Sequence, residues 1–415
     1  AEIALTASLV QENAPERFWN PNELFTRIYQ QTHRKPLTQA AMSGLQRATA
    51  DWLRSAPALT KAAQFPSVEV EQTRVAYNAR RDAGTKAGDY DFAFRSPPAR
   101  VPVFSVSDLE KLVSAPAIIW MKKFLGVEAA DESGSPWHAA TGQWVHQWLA
   151  SVAGADGERT FVRVPTASEL ARRVRAAAEA KAAEVKRLCA SADRPLPDWW
   201  SSGWQNAICV ARNLGSKIAT VRDWRWMATE WNIDAEERVA VGGNEALSFR
   251  GRIDLLLARD EAAPDPAASE LWILDYKTGS NKPLVPARED AEKRSSRLHN
   301  RLVKGEALQL GLYALAMRQH GAADVFLSIV SQAVRDVEPP QLSIADIAAH
   351  EDVFAELARM QRTGVFGMYG ALRAAFGYAP QYPLATVAID PDLLDAKWEE
   401  THPALAREEE EWESW

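Results

Sequence analysis

Cysteine is nearly absent from this 415-residue chain, which has only Cys189 and Cys209. Two cysteines without metal-site spacing exclude a disulfide framework and fit a reducing, cytoplasmic compartment. No apolar run reaches about 18 residues, so no membrane-spanning helix is expected. The opening segment lacks the basic and apolar regions of a signal peptide. An excess of positive charge is lacking too: 48 Lys and Arg face 55 Asp and Glu, for a net charge of −7. That argues against a protein that merely coats nucleic acid, because phosphate binding wants a positive surface. An enzyme with a local basic groove remains compatible, and acidic metal ligands would themselves add negative charge. There is no Gly-x-x-x-x-Gly-Lys-Ser/Thr loop, so the chain is not expected to hydrolyse ATP. A Gly-x-Ser-x-Gly elbow and a His-Glu-x-x-His helix are also missing.

Apolar residues make up 47% of the chain, ample for a core, and the length allows two or three domains of about 150 residues. Because it begins with Ala1, the sequence fits a processed protein or the back end of a longer one. Residues 1–100 form a first segment, with helical apolar spacing over 24–29 and 38–52. Residues 78–100 are polar, contain glycine and end in prolines, so they read as a linker. The main domain spans 101–400. In it, Ser107 is expected to cap a helix through Leu109, Leu112 and Val113 toward Met121. Further helices are expected over 137–148, 167–188, 204–222, 305–319 and 350–376. Strands are expected over 226–234, 236–241, 247–258 and 271–277. Helices wrapped around such strands give an α/β or α+β fold. Residues 401–415 end in an acidic run, REEEEWESW, and read as a tail. Most of the sixteen tryptophans have core spacing.

The chemistry concentrates in Gly251-Arg252-Ile253-Asp254 on one strand and Asp275-Tyr276-Lys277-Thr278-Gly279 on another. A carboxylate inside an apolar strand is costly unless it is paired or bound to a metal. Two of them on adjacent strands can hold Mg²⁺ or Mn²⁺, which take oxygen ligands and leave room for water and phosphate. Residues 275 and 277 share one strand face, so Lys277 points into the same site, where it can stabilise charge on a phosphate. Taken alone, an Asp-x-Lys pair fits a buried ion pair better than a catalytic site, because the pattern is short. Two flanking signals strengthen the catalytic reading. Gln309 and Tyr313, at i and i+4, share a helix face. Upstream, Gly142 allows a close helix approach and His146 can offer its imidazole to a metal. Individually these also fit a satisfied amide, a half-buried tyrosine and a structural histidine. His138 competes with His146 but lies near Pro136, outside the helical repeat.

The ordered set resembles the RecB-type branch of the PD-(D/E)XK nuclease superfamily. That branch shows a Gly-x-x-x-His helix, a Gly-Arg-Ile-Asp strand, an Asp-Tyr-Lys-Thr-Gly strand and a Gln-x-x-x-Tyr helix in this order, and all four occur here across residues 142–313. The resemblance implies a mixed central sheet flanked by helices, as in a restriction-endonuclease-like core. It implies that His146, Asp254, Asp275 and the Tyr276 carbonyl hold the metal and that Lys277 is the catalytic lysine. Gln309 and Tyr313 would shape the site and meet DNA. Residues 105–125 are similar to the opening of this domain in AddB-like helicase–nuclease subunits, and residues 1–52 to the last helicase-like part of such a subunit. A larger polypeptide or a helicase partner follows from that likeness, as does exonuclease work on DNA ends in double-strand break repair and recombination. Several relatives carry an iron–sulfur cluster. Here Ala115 stands where a cysteine would precede Pro116, so no cluster is expected.

Seven Lys and Arg (282, 288, 293, 294, 297, 301 and 304) face three acids (289, 290 and 292) between Asn281 and Lys304. Lys293, Arg294, Arg297, Arg301 and Lys304, together with Arg252, are candidates for the phosphate backbone; a solvated loop is the plainer reading of that segment. Neutralising Asp254, with which it alternates on one strand face, is an equal reading for Arg252. Glu230 reads as a surface residue that could join the site. Residues 172–187 read as a solvated helix before a DNA clamp. Two other functions remain open: a stand-alone endonuclease in defence against foreign DNA, and a catalytically silent DNA-binding or partner scaffold.

Overall fold

In the computed structural model the chain divides into two compact units, Ala1–Asn78 and Ala79–Trp415. The structure describes residues 10–11, 14–18, 29–30, 33–36, 38, 86–88, 91–126, 136–153, 159–221, 223–234, 238–278, 291–303, 305, 307–332, 337–368 and 391–406. In the first unit Val10–Gln11 (β1) and Ala14–Phe18 (β2) pair antiparallel. The helices expected over 24–29 and 38–52 fall, apart from Tyr29 and Thr38, outside the described residues.

The second unit is built on a mixed sheet. Its strands are β3 (Phe104–Ser105), β4 (Val162–Arg163), β5 (Trp226–Ile233), β8 (Phe249–Ala258), β9 (Glu270–Lys277), β10 (Asp324–Ser331) and β11 (Leu342–Ser343), while β6 (Val239–Gly242) and β7 (Glu245–Leu247) form a separate hairpin. The order is β11-β10-β9-β8-β5-β4, with β3 added on β8. Strands β9 and β10 are parallel, and β8 runs antiparallel to both β9 and β5. The expected mixed sheet flanked by helices is therefore observed. Strand β10 was not anticipated.

The apolar runs of β8 and β9 are explained by cover on both faces. Leu256 and Ile273 pack with Leu109, Leu112, Leu308, Leu312 and Phe354. These belong to α1 (Val106–Ser114), α7 (Leu308–Gln319) and α9 (Glu351–Thr363), the last preceded by the short α8 (Ile344–Ala348). Leu255, Leu257, Trp272 and Leu274 pack the other way, with Val145, Trp148, Val174, Val210 and Leu214. These belong to α3 (Pro136–Ala150), α4 (Ala167–Ser191) and α5 (Trp200–Ile218). Among the described residues no helix is long and apolar enough to cross a membrane.

Several expected boundaries move for local reasons. The cap of α1 is Ser105, not Ser107: Ser105 Oγ accepts the Asp108 N–H at 3.1 Å, and Asp108 accepts the Ser105 N–H at 3.0 Å. The helix breaks at Ala115 because Pro116 disfavours a helical residue before it, and α2 (Pro116–Trp120) restarts with proline in its first turn. Helix α3 begins at Pro136 and so takes in His138, whose side chain is outside the described residues. The segment expected as one helix over 305–319 starts at Leu308. Before it, α6 (Ala291–Val303) replaces the anticipated loop, and Gly305, at φ +77°, turns between them. Helix α9 stops at Gly364, in the left-handed region at φ +71°; residues 369–390 are outside the described residues. The last described α-helix is α10 (Pro391–Thr401).

Part of the stretch expected as a linker is packed, over residues 91–94, while residues 95–97, 99 and 100 are exposed. Phe94 lies 5.1 Å from the Trp120 ring, and Asp91 forms a buried ion pair with Lys397 at 2.8 Å. Beyond α10, His402 and Leu405 are buried too. Residues 407–415 are outside the described residues.

Candidate active site and metal centre

Strand register brings the first group together. Thr229 pairs with Leu255 and Trp231 with Ile253, which puts Glu230 opposite Asp254. Glu230 adopts φ +53°, a left-handed conformation that costs a residue with a Cβ about 1–2 kcal/mol. It is only 7% exposed. From α3, His146 reaches Asp254, with Nδ1 3.2 Å from Oδ1. His146, Glu230 and Asp254 can each offer one ligand atom, all within 4.8 Å of one another. The other Asp254 oxygen accepts the Tyr276 main-chain N–H at 2.9 Å. Ladder pairing of β8 with β9 ends at Leu255 and Leu274, so at this point the Asp254 side chain replaces the strand-to-strand bond.

Next along β9, Lys277 Nζ lies 2.6 Å from Asp275 Oδ2. Burial disfavours a charge on Lys277, but Asp275, Glu110 and Asp254 outweigh it and raise its pKa. Burial pushes the Asp275 carboxyl up; Lys277 pulls it down, Asp254 pushes it up again, and the balance is upward. His146 follows the same logic. Burial works against its cationic form, yet the Asp254 hydrogen bond and charge, with Asp275 and Glu230 behind them, raise its pKa. Glu110, on α1, accepts the Gln309 main-chain N–H at 3.3 Å and feels Lys277 and Asp275. Between Asp275 and Lys277, the Tyr276 ring turns into the opposite core, edge-on to His146 at 5.8 Å.

A third group fixes the strand that carries Asp254. Tyr313, from α7, is 3% exposed, and its hydroxyl bonds the main chain of Arg252, with Gln309 as a further partner. The ring passes where a side chain of Gly251 would stand: a Cβ there would meet Tyr313 Cε1 at 2.5 Å and Val106 Cγ2 at 2.9 Å. Tyr313 therefore shapes the site by positioning β8. Gly142 acts similarly, since a Cβ there would come 3.3 Å from Thr278 Oγ1 at the end of β9. Arg252 forms an ion pair through Nε with Glu230 and is otherwise exposed.

The basic segment is helical rather than a loop where it is described. Helix α6 docks through Leu298 and Leu302, and Ser295 donates to the Gln341 carbonyl. Gln341 in turn accepts the N–H of Ile329, the register partner of Asp275. Lys293 is exposed, and Arg294, Arg297 and Arg301 are half-buried; Lys304 lies outside the described residues. A groove of about 950 Å³ opens at His146, Glu230, Asn232 and Arg252 and runs along α4 past Ala177, Ala180 and Lys181. Its size is at the upper end of ligand pockets, roughly 300–1,000 Å³, so more than a cation can enter. One side of the helix over 172–187 thus lines this groove.

The structure gathers His146, Asp254, Asp275, Tyr276, Lys277, Gln309, Tyr313 and Arg252 around the ends of β8 and β9. Glu230 and Glu110 were under-read. Glu230 stands opposite Asp254 across the β5–β8 pair, a register that β6 and β7, lying between the two strands in the chain, hide from the sequence. Glu110 gave no local signal, because its relation to Lys277 is purely tertiary. Carboxylates with one imidazole suit a divalent cation. Opposed ligands on an ion with bonds of 2.0–2.1 Å stand roughly 4.2 Å apart, so ligand atoms that all lie within 4.8 Å of one another fit such an ion.

Residues 103–383, more than half of the chain, match the family model of the PD-(D/E)XK nuclease superfamily. The matched range holds every residue of this site. No curated protein matches the sequence.

Proposed function

The chain belongs to the PD-(D/E)XK nuclease superfamily, and from that membership we propose that it is a metal-dependent DNA exonuclease that processes ends for break repair and recombination beside a helicase. The observation that carries the nuclease reading is the convergence of His146, Glu230 and Asp254 within 4.8 Å, next to the Asp275–Lys277 pair. The exonuclease and helicase parts rest on the likeness of residues 105–125 and 1–52 to AddB-like subunits.

In this reading Asp254, Asp275, His146, Glu230 and the Tyr276 carbonyl hold Mg²⁺ or Mn²⁺. Such an ion polarises the phosphate and lowers the pKa of a bound water. Asp254 holds the Tyr276 N–H, which fixes the spacing of β8 and β9 at the reacting phosphate. Asp275 orients the Lys277 ammonium. The raised pKa keeps that ammonium charged at neutral pH, so Lys277 stabilises charge on the phosphate and does not act as the base. Tyr313 and Gln309 position β8, and Arg252 with the α6 cations contacts the DNA backbone.

The test is cleavage of end-labelled linear and closed circular DNA, single- and double-stranded, in Mg²⁺, Mn²⁺ or EDTA. The expected result is metal-dependent loss of linear DNA from its ends with circles intact. Cut circles would instead identify an endonuclease, and no cleavage of any substrate would favour a scaffold.

A further inference from the structure

We propose that Arg252 is a placeholder for the metal at Glu230: it pairs with that carboxylate in the metal-free site and is released toward the DNA phosphate when a divalent cation takes Glu230. This rests on the metal-centre reading above and adds an exchange that links the two ligands.

Four observations carry it. First, Glu230 is buried and held at φ +53°, with its carboxylate in reach of the ligand atoms of His146 and Asp254. A strained backbone at such a point marks a side chain whose direction matters. Second, this carboxylate forms an ion pair with Arg252, whose side chain is 63% exposed. A guanidinium this exposed is readily hydrated when it leaves, and an incoming cation keeps the buried carboxylate from standing unpaired. Third, the Arg252 main chain cannot follow its side chain, because the Tyr313 hydroxyl bonds both its N–H and its C=O. Only the guanidinium is free to swing. Fourth, Arg252 alternates with Asp254 along β8, and His146, Glu230 and Arg252 line one groove. A guanidinium leaving Glu230 therefore stays beside the reacting phosphate, where its planar fork suits phosphate oxygens.

Exchange of one cation for another at a shared carboxylate couples metal and DNA binding in both directions. The measurement uses the full chain. Mn²⁺ binding is followed by calorimetry without DNA, and binding of a labelled single-stranded oligonucleotide is followed by anisotropy in EDTA. Arg252→Gln removes the competitor and should tighten Mn²⁺ binding about 5-fold or more, whereas Glu230→Gln should weaken it by a similar factor. In EDTA, Glu230→Gln frees Arg252 and should tighten oligonucleotide binding about 5-fold. The double variant Glu230→Gln/Arg252→Gln should lose that gain. Unchanged or weaker Mn²⁺ binding by Arg252→Gln overturns the exchange, even if the wild type binds Mn²⁺. So does a gain that persists in the double variant, since general charge removal then explains it. A wild type that binds no Mn²⁺ overturns the metal-centre reading itself.

Discussion

The hydroxyl of Tyr313 accepts the main-chain N–H of Arg252 and donates to its C=O, each at 3.0 Å. One side chain from α7 thus sets the height of the strand that carries Asp254. Tyr313→Phe leaves both groups without this partner and should cost about 1–3 kcal/mol. Gly251→Ala drives a Cβ into the same ring and should cost a similar amount, about 1–3 kcal/mol, by overpacking. Urea unfolding checks both, and midpoints equal to the wild type would refute the role given to Tyr313.

Lys277→Met keeps the stem and removes the ammonium beside Asp275. Loss of one electrostatic donor should lower the single-turnover cleavage rate about 10²–10³-fold. Oligonucleotide affinity should change only a few-fold, because the groove and α6 are untouched. Near-normal cleavage by this variant would remove Lys277 from the reacting centre.

Asp108 supplies a pH test of stability away from the site. It pairs with Lys123 at 2.6 Å and Lys122 at 3.0 Å while capping α1. Burial alone would raise its pKa, but these ammonium groups and the Ser105 N–H outweigh it and hold the carboxyl far below its ordinary 3.8. A group whose folded pKa is depressed stabilises fully above its unfolded value, and that stability is lost as pH falls toward the folded value. Asp108→Asn should therefore cost about 1–3 kcal/mol near neutrality, and the gap from wild type should narrow as pH drops below about 4. Paired urea titrations across that range check it. A gap that is constant or widens in acid would be inconsistent with the assignment.

The Asp91–Lys397 pair, with side chains 2% and 3% exposed, binds residues 91–94 to α10. Lys397→Ala leaves a buried carboxylate without its ammonium and should cost about 3–5 kcal/mol. Replacing both, as Asp91→Leu with Lys397→Met, should recover most of the loss. Thermal unfolding of the single and double variants decides this, and a double variant as unstable as the single would point to packing rather than charge.

Much of the main domain was legible because its signals are local. The apolar runs 247–258 and 271–277 became β8 and β9, and the Gly-x-x-x-His and Gln-x-x-x-Tyr spacings mark helices that face them. Strand β10 was not anticipated, although its place beside β9 aligns Ile329 with Asp275. The cap is Ser105 rather than Ser107 although each serine has an acid three residues on, because Asp108 closes on the Ser105 N–H while Glu110 turns away to accept the Gln309 N–H, a tertiary contact. Glu230 looked like a surface group since its burial depends on a register opposite Asp254 and an unusual φ. The Tyr313–Arg252 bond spans 61 positions, and no local pattern reports it.

The central claim is that the carboxylates on β8 and β9 run metal-dependent hydrolysis of DNA. Its most direct test is cleavage of end-labelled linear DNA by the wild type and by Asp275→Ala, each with Mn²⁺, Mg²⁺ or EDTA, with oligonucleotide binding measured in parallel. The account predicts cleavage by the wild type with metal and none in EDTA, and loss of cleavage with DNA binding retained in Asp275→Ala. Equal cleavage by both proteins, or cleavage that persists in EDTA, would contradict it.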